Sequence, residues 1–532
     1  MADLTAWRAL VEKELAGASF DKLVHRTPEG LAIEPLYTEA LGQDSFARGA
    51  AGPGFRLCMR VPRGGDAAAE LDQGADAVWV DANDAAAIAA AAARGRLAVL
   101  EPRHGEPPLD VDALGDDRGG ERWIAADRIA AVARGELPKA ALDGGLLAPL
   151  VRDAVARPSR CLRVGTLPFH DAGADSADEL ALALSSLVAK LRELDGAGLD
   201  LAPIGRLLWA QVAVGRDTFG EICKLRALRV VWDRVLEASG VEHTGLDAIH
   251  AVCSSRTVGQ RDPWVNMLRV TTQVFAAALG GAQLVTPLAF DAAFAEPSEL
   301  GRRVARNTAL VLREESGLGR VLDAGGGSYY LEARTAALAE EAWSRFQAIE
   351  RGGGIVELLR TGGLKARLDA AWAARATAIA KRKEPVLGVS EFPNLREQLP
   401  GEPRALPGVH RDGEAFEALR ARVEQAPRTV GLALLGPPAE HRARAGFAES
   451  FFAVAGLAAG TAQTDIVCIC GSDERYATEA ADTARRLVAA GTRRVVLAGR
   501  PGALEAELRA AGVDAFIYLG CDVLATLTEV LS

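Results

Sequence analysis

The sequence predicts an α/β protein: a (β/α)8 TIM barrel with an N-terminal arm before it and a flavodoxin-like domain after it. Strand-like and helix-like patterns alternate through the first two-thirds of the chain, and a second alternation fills its last fifth. A proline-rich stretch separates the two. With 532 residues, 49% hydrophobic and 25% charged, the chain is long enough for two or more globular cores.

The barrel prediction rests on short apolar runs that alternate with amphipathic stretches such as 176–194 and 219–237. This alternation is typical of a parallel sheet covered by helices. A closed barrel is favoured because it leaves no edge strand, and an open doubly wound sheet is the alternative that the pattern leaves. The runs predicted as strands are 55–61, 77–80, 97–100, 161–164, 206–210, 247–252 and 282–285.

The barrel domain is assigned to 51–382, because 302–314 and 336–382 continue the helical pattern after the last strand. Residues 1–50 form the arm, in which Trp7, Leu10 and Val11 have helical spacing and 33–37 reads as extended. Residues 383–426 contain five prolines and several glycines, which predicts an extended linker.

The remaining domain, 427–532, contains four strand–helix units, which favours a flavodoxin-like sheet. The predicted strands are 429–435, 465–470, 494–498 and 515–519, and the predicted helices are 439–455, 475–490, 502–511 and 522–531.

Composition excludes several classes of function. The net charge of −10 and the scattered basic residues argue against a nucleic-acid-binding surface. No run of about 18 apolar residues predicts a membrane span, and the first residues lack the pattern of an export signal. Seven widely spread cysteines, an odd number, are typical of reduced thiols, so we expect a cytoplasmic protein without a metal site.

Several segments occur in an order and spacing that resemble the methylmalonyl-CoA mutase family over roughly residues 1–400. They are 170–174, 179–181, 224–227, 261–269, 279–282, 303–308, 314–316 and 325–330, and the tail matches in layout. The resemblance implies a barrel that threads the CoA chain along its axis and a C-terminal domain that caps it with adenosylcobalamin. The cofactor supplies the radical, and the protein shields it from water.

Heterodimeric members of this family pair a catalytic chain with a non-catalytic one, and three departures favour the latter here. The segment 48–58 is shorter than the substrate-contacting segment of active members and contains no tyrosine. His170 replaces the glutamine of Met-Gln-Glu-Ala-Gly-Ala, and His250 alone survives from His-Cys-Gln-Thr-Ser-Gly-Trp. We therefore expect no catalytic residue, with His170 and His250 as buried structural residues or remnants of a substrate groove.

The tail departs from the family's cobalamin-binding motif, Asp-x-His-x-x-Gly. His441 falls in the slot of the axial ligand, but Ala439 replaces the orienting aspartate and Arg444 replaces the glycine. The later motifs, at 469–471 and 498–499, are also altered. The expectation is a degenerate domain in which this chain binds no cofactor and the large subunit binds the adenosylcobalamin.

Together these features identify the chain as a small, non-catalytic subunit of the heterodimeric enzyme, inactive alone. It would support a large catalytic subunit in the interconversion of succinyl-CoA and methylmalonyl-CoA, and would meet acyl-CoA only through the complex. The arm, around Trp7 and Tyr37, would contact that partner. Two alternatives stay open: an independently active acyl-CoA mutase with an altered substrate, and a CoA-binding regulatory module.

Overall fold

The computed structural model describes residues 4–38, 54–102, 121–143, 145, 147–154, 159–242, 245–294, 296–460 and 464–532. It divides into two compact units. The first unit comprises Met1–Ser254, Val270–Leu288 and Arg302–Ala371, and the second comprises Ser255–Arg269, Ala289–Gly301 and Trp372–Ser532. None of the described helices is long and apolar enough to cross a membrane.

The arm begins with helix α1 (Leu4–Glu14), none of whose residues is buried. A 3₁₀ turn and a short antiparallel pair, β1 (His25–Arg26) and β2 (Ala32–Ile33), follow it. The loop of this pair is attached to the first unit through Glu29, whose side chain accepts a hydrogen bond from the Ser176 amide at 3.0 Å. The arm is therefore attached near its middle.

The first unit contains a nearly closed, TIM-like barrel of parallel strands, as predicted. Segments β7 and β8 are separated by Cys161 alone; β7 pairs with β6 and β8 pairs with β9, so the sheet returns on itself. All seven predicted strands are present, and the sequence analysis missed the three-residue β6. The segments are β3 (Arg56–Arg60), β4 (Ala77–Asp81), β5 (Leu97–Glu101), β6 (Arg122–Ile124), β7 (Ser159–Arg160), β8 (Leu162–Gly165), β9 (Leu208–Val214), β10 (Ile249–Cys253) and β11 (Leu284–Thr286).

Helices follow most of these strands, and aspartates cap several of them by accepting a backbone N–H. The predicted helical stretch 336–382 is divided because Gly353 and Gly362 have left-handed backbones with φ of 97° and 83°. The helices are α2 (Ala67–Asp72), α3 (Ala85–Ala93), α4 (Arg128–Ala133), α5 (Leu147–Ala154), α6 (Leu167–Asp171), α7 (Ser176–Gly196), α8 (Thr218–Ala238), α9 (Val265–Leu279), α10 (Glu299–Leu310), α11 (Tyr329–Arg351), α12 (Gly354–Thr361) and α13 (Gly363–Ala380).

The second unit contains a five-stranded parallel sheet in the order β13-β12-β14-β15-β16. Its strands are β12 (Thr429–Leu434), β13 (Ala458–Gly460), β14 (Ile466–Cys470), β15 (Arg494–Ala498) and β16 (Ala515–Ile517). Its helices are α14 (Glu414–Gln425), α15 (Pro438–Ala453), α16 (Asp473–Arg475), α17 (Ala481–Ala489), α18 (Glu505–Ala510) and α19 (Val523–Leu531). The sequence analysis missed β13, because its alanines and glycine have low strand propensity.

Helix α14 lies inside the range that the sequence analysis assigned to an extended linker, 383–426. Phe416, Leu419 and Val423 are buried and recur at helical spacing after the last proline of the run. The proline composition of 385–407 therefore describes only the first part of that range.

Arg345 joins the arm to the barrel helices. Its guanidinium donates to Asp175 at 2.9 Å and to Asp178 at 2.8 Å, and also to the carbonyl oxygen of Glu29 at 3.2 Å. Burial raises the pKa of Asp175, the neighbouring Asp178 raises it further, and Arg345 opposes both effects, so the Asp175 carboxylate depends on this cation; Asp178 also binds Arg367 at 2.5 Å.

We predict that Arg345→Met lowers the free energy of unfolding by about 2–3 kcal/mol, because it leaves two carboxylates without their shared partner. The arm should also become cleavable by protease at lower enzyme concentration. Denaturant titration and limited proteolysis measure the two effects. Arg485→Met, which breaks an exposed pair with Asp482, is the matched control and should cost about 0.5 kcal/mol or less. Equal effects of the two variants would contradict the prediction.

Candidate functional site

A hydrogen-bonded network crosses the interior of the barrel. Arg163, 3% exposed, donates to the Glu101 carboxylate at 2.9 Å and to Gln211 Oε1 at 3.1 Å. The amide of Gln211 then donates to His250 Nδ1 at 3.2 Å, and His250 Nε2 donates to Thr286 Oγ1 at 2.8 Å. These residues lie on β5, β8, β9, β10 and β11, so the network ties five strands together across the axis.

His250 is fully buried in this network. Burial, together with the nearby charge of Arg163, lowers the pKa of His250 to about 3. The ring is therefore neutral at physiological pH, and each of its nitrogens already has a partner. A ring in this state does not serve as a general base, because it is neither accessible nor poised near neutrality.

Three tryptophans occupy much of the remaining interior. The ring of Trp209 lies 5.2 Å from that of Trp123 and stacks on His250 at 6.3 Å. Trp79 meets His250 edge-on at 5.5 Å and donates its indole N–H to Glu101 at 3.0 Å. Aromatic and charged side chains of the chain itself therefore occupy the axis of the barrel.

A cavity of about 830 Å³ opens at the amino-terminal ends of the strands. Trp123 lines it, and its charged groups are paired with one another: Arg56 with Glu121 at 2.6 Å, and Arg160 with Asp247 at 2.9 Å. These mutual ion pairs leave the cavity without a strong preference for a charged ligand.

At the carboxyl ends of β8, β9 and β10, His170 belongs to a second buried cluster. Its Nε2 lies 2.7 Å from Ser254 Oγ, and its Nδ1 lies 3.4 Å from the carboxylate of Glu179. Lys224 donates to Glu179 at 2.9 Å and forms a 2.6 Å ion pair with Glu221. Sequence reasoning singled out His170 and the segments that contain Glu179 and Lys224, but it did not predict that the fold brings these side chains together with Ser254 and Glu221.

The charges of this cluster compensate one another. Burial alone would raise the pKa of Glu179, but the Lys224 ammonium and His170 hold it below the usual range. Burial raises the pKa of Glu221, and the nearby Glu179 carboxylate raises it further. Burial lowers the pKa of Lys224, but the carboxylates of Glu179 and Glu221 raise it by more, so the net shift is upward. Lys224 is thus held as a buried cation.

The hydrogen-bonded arrangement resembles a catalytic triad, with Ser254 in the place of the nucleophile, His170 in that of the base and Glu179 in that of the orienting acid. Each is at most 2% exposed. An acyl group could reach the hydroxyl only if the surrounding side chains moved, so we assign these hydrogen bonds to stability.

In the second unit, His441 lies near the start of α15 and donates through Nδ1 to the carbonyl oxygen of Gly436 at 3.1 Å. Arg444, one turn further, donates to the Gly471 carbonyl at 2.9 Å and covers the ring of Tyr476 at 4.7 Å. Tyr476 donates its hydroxyl to the Ala498 carbonyl at 2.7 Å.

These side chains fill the crevice at the carboxyl ends of β14 and β15, where parallel sheets of this kind bind ligands. A methyl group added at Gly499 would lie 3.0 Å from the Tyr476 ring and 3.1 Å from Arg444. Among the described residues no group of three His, Cys, Asp or Glu could hold a metal ion. Cys468 and Cys470, on one strand, are buried thiols 4.0 Å apart.

We predict that His250 contributes to a loss of stability as the pH falls. Its pKa is about 3 in the folded chain and near 6.5 when unfolded, so only the unfolded state takes up the proton below pH 6.5. The resulting loss is about 2 kcal/mol between pH 6.5 and 5. His250→Gln should flatten the pH dependence of the unfolding free energy by that amount in denaturant titrations. His441→Gln, at a partly exposed ring, is the control; equal slopes for wild type and His250→Gln would refute the assignment.

Comparison with known proteins identifies the family of this chain. The family model described as Methylmalonyl-CoA mutase matches residues 155–437. The Methylmalonyl-CoA mutase small subunit of Streptomyces virginiae is 39% identical over 500 residues, which cover 87% of this chain and 77% of that protein.

Two further relatives have similar names. The Probable methylmalonyl-CoA mutase small subunit of Mycobacterium tuberculosis is 40% identical over 412 residues, 72% of this chain and 66% of that one. The Methylmalonyl-CoA mutase small subunit of Propionibacterium freudenreichii subsp. shermanii is 35% identical, covering 70% and 63%. The chain spans about two-thirds of the length of these two proteins. On the extent of these matches, the chain belongs to the methylmalonyl-CoA mutase family.

Proposed function

We propose that this chain is the small, non-catalytic subunit of a heterodimeric, adenosylcobalamin-dependent methylmalonyl-CoA mutase. In that role it supports a large catalytic subunit that interconverts succinyl-CoA and methylmalonyl-CoA. The names of its relatives support the subunit role. Its seven buried free thiols support a cytoplasmic location.

The observation that carries this proposal is the filled barrel axis. A CoA chain threaded along the axis would have to displace Trp79 and Trp209 and break the bonds that join Arg163, Gln211 and His250. Each buried polar group left without a partner costs about 1–3 kcal/mol, and a charged one costs more. Acyl-CoA is therefore assigned to the large subunit, and His170 and His250 to structural roles.

The second unit does not fit a bound cobalamin. We assign it to the flavodoxin-like class because its strands follow the order 2-1-3-4-5. Ala439 offers His441 no carboxylate, and His441 instead donates to a carbonyl of its own loop. Arg444 and Tyr476 stand in the crevice. We therefore propose that the adenosylcobalamin of the holoenzyme is held by the large subunit.

The arm is the first candidate for the partner contact. Helix α1 carries Leu4 and Leu10, 40% and 56% exposed, and buries no residue of its own. Tyr37, by contrast, lies 5.4 Å from the ring of Tyr330 in the same chain, so its contact is at least partly internal. The proposal also keeps the division of the chain into an arm (1–50), a barrel domain (51–382), a linker (383–426) and a C-terminal domain (427–532).

We predict that the purified chain takes up no cobalamin. After incubation with excess adenosylcobalamin and gel filtration, the protein fraction should lack the visible absorbance of the corrin, because Arg444 and Tyr476 occupy its place. The His441→Ala variant is the control and should give the same spectrum. Stoichiometric binding that is lost in His441→Ala would overturn the assignment of the tail.

We predict a stable 1:1 complex with a large mutase chain encoded in the same genome, with an interface above about 2,000 Å². Alone, this chain should convert no succinyl-CoA. Deleting residues 1–18, which removes α1 but keeps Glu29, should weaken the complex more than it lowers the melting temperature of the free chain. Size exclusion and calorimetry measure both. Full affinity of the truncated chain would exclude α1 as the contact, and failure of the intact chain to pair would refute the subunit role.

A further inference from the structure

The second unit exposes four large apolar side chains close together, which we call the apolar patch. Their exposed fractions are 50% for Trp264, 67% for Leu268, 51% for Leu387 and 76% for Phe392. Single exposed apolar residues are ordinary on protein surfaces, but a group of this size is typical of a binding surface. Its exposed side-chain area is roughly 500 Å², at the upper end for the largest patch of a monomer.

The contacts around these residues show that they form one surface. Trp264 immediately precedes α9, and Leu268 lies in the first turn of that helix, four residues further on, so the two side chains lie near one another at the helix start. Arg269 donates to the carbonyl oxygen of Leu387 at 2.6 Å, which holds the 386–392 turn beside that face. Leu387 pairs with Glu391, the neighbour of Phe392.

Contacts hold one ring of the patch and the backbone of the neighbouring turn in place. The indole of Trp264 stacks on the buried ring of Phe290 at 4.7 Å. In the turn, Gly388 donates to the Glu391 carbonyl at 2.8 Å, and Val386 donates to the buried hydroxyl of Ser390 at 2.9 Å. A surface that is partly ordered in advance loses less conformational entropy when a partner covers it.

Phe392 has an unfavourable backbone conformation that its side-chain packing within the unit does not offset. Its φ is +48°, in the left-handed region that is unfavourable for a bulky residue and that glycine or asparagine adopts readily. The ring gains little in return, because 76% of it faces solvent. Backbone strain of this kind is typically kept where a site requires it.

From the patch and the strained residue at its edge, we infer that this surface docks the large mutase subunit, in addition to the contact assigned to α1. The inference rests on the proposed function, because relatives named small subunits imply a second, unlike chain. The partner should offer an apolar hollow that receives the rings of Trp264 and Phe392. Tryptophan is among the residues that dominate binding energy at such interfaces, and aromatic residues are enriched there.

The test is the Phe392→Gly variant, which removes the ring and also relieves the strain of the left-handed backbone. The free variant should melt at the wild-type temperature or above it, while its affinity for the purified large subunit should fall by roughly tenfold or more. A residue kept only for folding would give the opposite pair of results. Trp264→Ser should weaken binding as well, and Leu519→Ser, at a leucine 82% exposed in the same unit, is the matched control and should leave affinity unchanged.

Calorimetric titration and thermal melting provide the two readouts. Wild-type affinity in both Phe392→Gly and Trp264→Ser would overturn the inference and leave the proposed subunit role intact. Absence of any complex with the unaltered chain would instead remove the proposed function on which it rests. If the variants dissociate a homodimer of this chain but bind the large subunit with unchanged affinity, the patch binds a second copy of this chain, and its assignment to the large subunit is wrong.

Discussion

The burial of one guanidinium, that of Arg163, constrains the centre of this protein. A charge that is 3% exposed in a barrel interior needs compensation. Gln211 provides it from the adjacent strand β9, and Glu101 provides it from β5 across the barrel. Gln211, once its oxygen accepts from Arg163, presents its amide to His250, which in turn donates to Thr286. This network joins side chains of five strands, and burial together with the Arg163 charge keeps the histidine neutral.

The same kind of arrangement recurs at the two other places where this fold usually binds ligands. Lys224 stands among Glu179 and Glu221 at the carboxyl ends of the barrel strands. Arg444 stands over Tyr476 at the carboxyl edge of the second sheet. In each place a positively charged side chain of this chain binds carboxylates, carbonyl oxygens or the face of an aromatic ring. Side chains of this chain therefore occupy the places where folds of this kind bind ligands.

Two further features that the packing of this chain does not explain lie on its surface. Helix α1 has no fully buried residue, and Phe392 has a strained backbone while most of its side chain faces water. Both cost free energy in the isolated chain, one through exposed apolar area and the other through conformation. A partner that covers them would recover that cost, so assembly offers one physical reason for both.

The sequence by itself determined the α/β class, the positions of seven barrel strands and the change of pattern near the tail, because hydrophobic periodicity is local. It also determined the family resemblance and the loss of the motif at Ala439 and Arg444. It did not predict β6 or β13, which are too short or too poor in strand-forming residues to stand out. Nor did it reveal that Arg163, Gln211 and His250 are joined, since they lie 39 or more residues apart. The pairing of β8, β9 and β10 in the sheet places these three side chains next to one another, and the closure of the barrel adds Glu101 of β5. The tertiary structure alone therefore decided that the axis is filled.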